Sequence, residues 1–273
     1  VPTWLVAMRR RRFKPILLDP QGDHVSGFAM IFYVRLFSKV MKKMVRKNSR
    51  IGLLLPSSRE GAVGLMSILA TGKTSVNLNY TSPYDVVTGC IHRTNITHVV
   101  TTRSFLDKLI HKTAAYQQLA NHAQLIFLDD LEKSFPVFKN LYTLFMTIFC
   151  PRILLEKLWF QVGKITDPAV ILFSSGSEGE PKGIVLSQKN IIANTQQIDA
   201  VIRLRNGDVM MAELPMFHSF GLTATIFMPM LDAVPMVLCP DPTDVKTLAR
   251  SCAEFKATIL MGTPTFLRAF SVN

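Results

Sequence analysis

From residue 51 onward, short apolar runs of strand length alternate with longer amphipathic stretches, and this alternation constrains the fold more than any other feature of the chain. The runs Ile51–Leu55, His98–Thr102, Leu125–Leu128, Ala169–Phe173, Gly183–Leu186, Val209–Leu214, Pro235–Cys239 and Ala257–Met261 read as strands, and 60–71, 83–93, 104–119, 188–202, 219–231 and 243–255 read as helices between them. Such a succession predicts a layered αβα domain whose largely parallel strands are covered by helices on both faces. The 273 residues suffice for one large domain or two small ones. A 48% hydrophobic content excludes disordered and collagen-like classes. Four cysteines, Cys90, Cys150, Cys239 and Cys252, stand far apart with no C-x-x-C pair, which argues against a disulfide scaffold and a structural metal. A reduced, cytoplasmic setting is the expectation.

The net charge of +12 invites a nucleic-acid reading, but its distribution redirects it. Residues 1–50 hold 12 Lys/Arg, including the run Arg9 to Arg12, against Asp19 and Asp23 alone, whereas the remainder is close to balance with 19 basic and 17 acidic side chains. The basicity belongs to an N-terminal segment, and 1–25 reads as a basic linker, from an upstream domain if one exists. A segment of this kind suits an anionic membrane surface, an acidic protein partner or, least of all, nucleic acid. The plainer reading is a solvated helix face near 39–50 with a basic stretch at 9–14.

No apolar run reaches the roughly 18 to 20 residues that span a bilayer, and the N-terminus lacks the ordered regions of a signal peptide. Val1 in place of Met fits a chain that begins inside a longer protein. Segment 134–162 is aromatic-rich and punctuated by Lys139, Arg152 and Lys157, a composition shared by buried helices and by helices lying in a membrane interface.

The stretch richest in chemistry is Phe173-Ser174-Ser175-Gly176-Ser177-Glu178-Gly179-Glu180-Pro181-Lys182-Gly183, directly after the apolar run Ala169–Phe173. Glycines let backbone amides approach an anion, serines add hydroxyl donors and Lys182 adds a mobile positive charge, which together suit a phosphate cradle. It is not a Walker A loop, because Pro181 precedes the lysine and Gly183 follows it.

This stretch resembles the phosphate-loop signature of the adenylate-forming enzymes, the family of acyl-CoA synthetases, luciferases and peptide-synthetase adenylation domains, in which a Ser/Thr/Gly-rich turn ends in Pro-Lys-Gly. Further stretches agree in order. Gly72 to Thr81, Ser187-Gln188-Lys189-Asn190 with Asn194, Leu214-Pro215-Met216-Phe217-His218-Ser219-Phe220-Gly221 and Gly262-Thr263-Pro264-Thr265 are similar to successive elements of that family. Within it, Glu178, the FHSFGLT run at 217–223 and the aromatic segment before the loop look most like the acyl-acyl-carrier-protein synthetases found fused to a lysophospholipid acyltransferase. Acyl-CoA synthetases are the second choice.

The resemblance implies ATP-dependent activation of a long-chain fatty acid and transfer of the acyl group to a thiol of acyl carrier protein or CoA, with ATP and Mg²⁺ as cofactors. It implies nucleotide-phosphate contacts from Ser174, Ser175, Gly176, Ser177, Glu178, Gly179, Lys182 and Gly183, with Lys182 and His218 as catalytic residues. It places Phe217, His218, Gly221, Gly262, Thr263 and Pro264 along the substrate wall. Glu178 and Glu180 leave two readings open, since a carboxylate repels phosphate unless it faces solvent or assists Mg²⁺. The other histidines, His24, His92, His98, His111 and His122, read as structural or surface residues.

The acyltransferase of that fused group uses a His-x-x-x-x-Asp pair, and no histidine here has Asp five positions later. The expectation is therefore 26–273 as the N-terminal part of an AMP-binding domain, incomplete on its C-terminal side and lacking the small lysine-bearing domain. A peripheral location on the inner face of a membrane, with a fatty acid and a carrier thiol as partners and no nucleic acid, completes this reading. From a different class comes the alternative of a truncated, non-catalytic nucleotide- or lipid-binding remnant.

Overall fold

The structure is a computed structural model, and it describes residues 1–20, 22, 24–46, 49–134, 137–161, 163–174, 181–264 and 267–268. In chain order the elements are α1 (Pro2–Arg11), β1 (Pro15–Leu18), β2 (Val25–Ser26), α2 (Gly27–Met44), β3 (Arg50–Leu53), α3 (Arg59–Ala70) and β4 (Thr74–Asn77). They continue with α4 (Tyr84–Arg93), β5 (His98–Thr101), α5 (Arg103–Lys112), a 3-10 helix (Ala114–Asn121), β6 (Gln124–Phe127), α6 (Leu128–Ser134), α7 (Val137–Phe149) and α8 (Arg152–Trp159). The last are β7 (Pro168–Ser174), β8 (Lys182–Ser187), α9 (Gln188–Ile202), β9 (Met210–Ala212), a π-helix (Gly221–Phe227), α10 (Met228–Asp232), β10 (Met236–Leu238) and α11 (Val245–Glu254).

The chain forms two compact units. One comprises Val1, Ile31–Leu55 and Glu60–Lys189; the other comprises Pro2–Met30, Pro56–Arg59 and Asn190–Asn273.

The first unit is built on a six-stranded sheet in the order β6-β5-β3-β4-β7-β8. All its pairs are parallel except β7 with β8. Its β3 and β5 are buried along nearly their whole length, as expected of parallel strands covered on both faces. Leu54, Val76, Val99, Leu119 and Ile171 lie in one core cluster. Strand β4, Thr-Ser-Val-Asn, escapes a search for apolar runs, yet it pairs with both β3 and β7. Its polar side chains are satisfied inside the sheet, with the Ser75 hydroxyl donating to Asn77 Oδ1 at 2.8 Å. Gly72, at φ 73°, makes the left-handed turn that leads from α3 into this strand. The predicted helix 104–119 divides: Thr102 caps α5 by accepting from the Phe105 amide, and extended backbone at Thr113 ends it before the 3-10 helix.

The second unit has a four-stranded sheet ordered β2-β1-β10-β9, parallel for β1–β10 and β10–β9 and antiparallel for β1–β2. The stretch 1–25, expected as a linker, here carries α1 and β1. Trp4, Leu5, Ala7 and Met8 of α1 are buried, and β1 joins the sheet through Leu17 opposite Met236. Its bases have structural work: Arg11 Nε donates to the Ala233 carbonyl at 2.7 Å, and the Arg9 guanidinium lies over the Phe28 ring. The run 257–261, predicted as a strand, contributes a single bridge of Ile259 to Met210. Asp244 caps α11 by accepting from the Thr247 amide.

Candidate functional site

The sequence-predicted residues fall into both units, and each set has its own geometry. In the first unit the β7–β8 pair brings Ser174 opposite Lys182 and Phe173 opposite Gly183, so the two ends of the Ser/Gly stretch are held side by side. Ser175, Gly176, Ser177, Glu178, Gly179 and Glu180 lie outside the described residues. Ser174 and Lys182 are exposed at the open end of the pair, with the lysine available to an anion. A Cβ on Gly183 would meet the Phe173 ring at 3.4 Å, an ordinary contact, so crowding does not require glycine there. Arg93, at the end of α4, donates to the Pro181 carbonyl at 2.6 Å. Nothing local in the sequence marks this arginine, which lies 88 residues before Pro181. Following β8, the Lys189 amide donates to the Ile165 carbonyl at 2.8 Å and sets the start of α9.

In the second unit, the Leu214-Pro215 turn presents Phe217 and His218. The His218 amide donates to the Pro215 carbonyl at 3.1 Å, and the Leu222 amide donates to the His218 carbonyl at 2.9 Å. Phe217 is buried and His218 is exposed, their ring centroids 4.5 Å apart. Partial desolvation lowers the His218 pKa from 6.5, which favours neutral imidazole, able to donate from one nitrogen and accept at the other. Ser57, on the Pro56–Arg59 segment, donates to the Leu214 carbonyl at 2.7 Å. Gly221 begins the π-helix, a form uncommon in folded proteins and concentrated at functional sites. A Cβ at Gly221 would lie 2.5 Å from the Pro215 carbonyl oxygen, so only glycine permits this return of the chain toward the turn. Thr225 donates to the Gly221 carbonyl at 2.8 Å within the π-helix.

Gly262, Thr263 and Pro264 are at least partly accessible, and the Leu267 amide donates to the Thr263 carbonyl at 3.0 Å. Thr265 lies outside the described residues. A further residue, Glu213, is 4% exposed beside the turn, and burial raises its carboxyl from 4.5 to about 8. Its Oε2 has no hydrogen-bond partner among the described residues. The signal for it in the sequence is one acid inside the apolar run Met210-Met211-Ala212-Glu213-Leu214.

Among the described residues, no group of three or more His, Cys, Asp or Glu side chains could hold a metal ion.

Residues 29–273 match the family described as AMP-binding enzyme. Among curated proteins, the long-chain-fatty-acid–CoA ligase of Escherichia coli O157:H7 is 22% identical over 250 residues, covering 84% of this chain and 44% of the relative. The enzyme of that name from Bacillus subtilis strain 168 is 33% identical over 101 residues, which is 36% of this chain. The chain thus spans less than half the length of these relatives. Among solved structures, o-succinylbenzoate CoA synthetase (MenE) of Bacillus subtilis, in complex with its acyl-adenylate intermediate, superposes with a TM-score of 0.78. It is 18% identical, and the match covers 99% of this chain and 64% of that one. ATP-bound MatB from Rhodopseudomonas palustris gives a TM-score of 0.74 at 20% identity, covering 98% of this chain and 50% of the other. These likenesses fix the fold, which is that of the N-terminal part of such structures, and the match over residues 29–273 places the chain in the AMP-binding enzyme family.

Proposed function

We propose that this chain is the nucleotide-handling part of a ligase that activates a long-chain fatty acid as its acyl-adenylate and passes the acyl group to a thiol. The observation that carries this reading is the pairing of Ser174 with Lys182, which gathers the ends of a Ser/Gly-rich stretch and presents a lysine beside a hydroxyl. In the proposed reaction a carboxylate oxygen attacks the α-phosphorus of ATP and the bond to the β-phosphate oxygen breaks, releasing pyrophosphate. A thiolate then attacks the acyl carbonyl and AMP departs. The protein's task in such a step is positioning and charge neutralisation, for which an exposed ammonium and hydroxyl donors are suited. Lys182 and Ser174, with the predicted contacts through Ser175 to Gly179 and at Gly183, would hold the β- and γ-phosphates. Mg²⁺ enters as the counter-ion of the nucleotide. His218, neutral and exposed beside Phe217, would face the acyl-adenylate or the entering thiol, and Gly221, Gly262, Thr263 and Pro264 would shape the substrate wall.

The long-chain-fatty-acid–CoA ligases among the relatives favour CoA as the acceptor. Acyl carrier protein, the acceptor suggested by the Glu178-containing loop and the 217–223 run, is the second reading. A cytoplasmic position at a membrane surface fits an acyl substrate. Fatty-acid-dependent exchange of labelled pyrophosphate into ATP tests the activation step, and offering CoA and acyl carrier protein separately to the trapped adenylate tests the acceptor. Absence of acid-dependent exchange where ATP still binds would favour the remnant reading.

A further inference from the structure

Helix α7 turns most of its large apolar side chains outward, and α8 continues the exposed apolar face. The fully buried residues of α7 are Thr143 and Thr147, followed just past its end by Cys150, all small, with Met146 and Ile148 partly buried; Thr147 satisfies its hydroxyl on the Thr143 carbonyl at 2.8 Å. Large apolar residues face outward instead: Leu141, Tyr142, Leu144, Phe145 and Phe149 are between 42% and 68% exposed. Phe145 and Phe149 touch, with centroids 4.8 Å apart. After Pro151, α8 buries Leu155 and Trp159 and exposes Ile153, Leu154 and Leu158. An ordinary surface helix buries its apolar stripe and wets its polar one, whereas α7 buries two threonines and exposes five large apolar side chains. Eight large apolar side chains exposed within 18 consecutive residues exceed the scattered singles normal for a surface.

We propose that α7 and α8 form an in-plane anchor that seats on an anionic phospholipid bilayer. Charge complementarity selects this occupant. The exposed charges of α8, Arg152 and Lys157, are both basic, and its one carboxylate, Glu156, is partly buried. At its carboxyl end Lys42 donates to the Trp159 carbonyl at 3.1 Å, and the Arg35 guanidinium lies over the Trp159 ring at 5.1 Å, which adds two cations where the helix meets the protein. An apolar face flanked by bases sinks to the boundary of headgroups and acyl chains and holds anionic headgroups electrostatically. No helix among the described residues is long and apolar enough to cross a membrane, so the anchor lies in the plane. The small inward residues accord with this placement, because α7 buries Thr143 and Thr147 and leaves five large apolar side chains outward for lipid. The anchor gives a structural basis to the membrane position proposed above. Vesicle binding is read without turnover, so either proposal can fail alone.

The test is sedimentation of the full chain with vesicles of phosphatidylcholine containing phosphatidylglycerol, compared with phosphatidylcholine alone. Binding to the anionic vesicles is expected, with a loss of about tenfold or more in Phe145→Asp/Phe149→Asp/Leu158→Asp, since each substitution removes an apolar side chain from the buried face. Arg152→Glu/Lys157→Glu should weaken binding to anionic vesicles while leaving the residual binding to neutral ones unchanged. All substituted side chains are exposed, so thermal unfolding should match that of the parent. As an independent readout, the new fluorophore in Phe149→Trp should shift to the blue on adding vesicles and be quenched by lipids brominated along the acyl chain. Binding that survives the triple substitution would assign the membrane contact to another part of the chain and overturn the proposal. No binding by the parent, or a self-association that the triple substitution abolishes without any vesicle effect, would overturn it equally.

Discussion

Ser57 donates its hydroxyl to the carbonyl of Leu214 at 2.7 Å, across 157 residues of sequence and fully buried. The bond ties the Pro56–Arg59 segment to the turn that presents Phe217 and His218. Removing the hydroxyl withdraws this donor from a buried carbonyl, which costs about 1–3 kcal/mol. Ser57→Ala is therefore expected to lower stability by that amount in urea unfolding. A variant as stable as the parent would show that the carbonyl finds another donor.

Gly221 meets the same turn from the other side. Because a Cβ there would sit 2.5 Å from the Pro215 carbonyl oxygen, and backbone cannot swing aside as a long side chain does, Gly221→Ala must displace the start of the π-helix. The expected cost is about 1–3 kcal/mol, the range for an overpacked interior. The Phe217–His218 ring contact should also shift, visible as changed aromatic chemical shifts. Unchanged shifts and stability would mean that the turn is softer than its close approach suggests.

The imidazole of His218 should titrate below 6.5 in the folded protein, because partial desolvation penalises the charged form. The Hε1 chemical shift followed from pH 4 to 8 measures this directly. A midpoint at or above 6.5 would mean that a carboxylate or phosphate supports the imidazolium, and would change the proton inventory of the proposed thiol step.

The sheet interior was legible wherever burial and apolarity coincide. Strands such as His98–Thr101 were visible because parallel pairing buries both faces. Strand β4 was not, since Val76 is the one apolar residue of its four and Ser75 is buried with its hydroxyl donated to Asn77 Oδ1. Helix α1 was hidden for the opposite reason, as the bases Arg9 to Arg12 drew attention to charge while Trp4, Leu5 and Met8 carried the packing. In the candidate site the sequence singles out contiguous runs, of which the structure describes Ser174, Lys182 and Pro215 to Gly221 and leaves their roles as proposals. Long-range partners could not be read: Arg93 beside Pro181 and Ser57 beside Leu214 depend on sheet order and loop return, which no local pattern encodes. The π-helix reads as ordinary helix in the sequence because its spacing differs from the α form by one hydrogen-bond register.

Lys182 is exposed at the end of β8, so replacing it should not disturb packing. In protein that shows acid-dependent pyrophosphate exchange, Lys182→Ala is expected to slow exchange by about a hundredfold, the scale for losing one preorganised charge-stabilising donor. Thermal unfolding should be unchanged. An undiminished exchange rate would remove Lys182 from the phosphate contacts proposed for it.

Glu213 gives a prediction whose sign follows from its environment. Burial raises its carboxyl from 4.5 to about 8, so the folded protein keeps the proton across a range in which the unfolded chain has lost it. Below pH 4.5 both states are protonated and the group has no pH-dependent effect. As pH rises from 4.5 toward 8 the unfolded state is progressively favoured by ionisation, and stability falls; above about 8 both states are ionised and the loss is complete. Glu213→Gln keeps the shape of the protonated side chain and cannot ionise. Its stability relative to the parent should therefore increase between pH 5 and pH 9, by an amount on the order of a few kcal/mol at most. Urea unfolding of both proteins at the two pH values measures the difference. If it stays constant with pH, the buried carboxyl has gained a solvating partner and ionises without cost. A Glu213→Gln variant more stable at pH 9 yet slower in pyrophosphate exchange would instead show that the carboxyl serves the turn bearing His218 at the expense of stability.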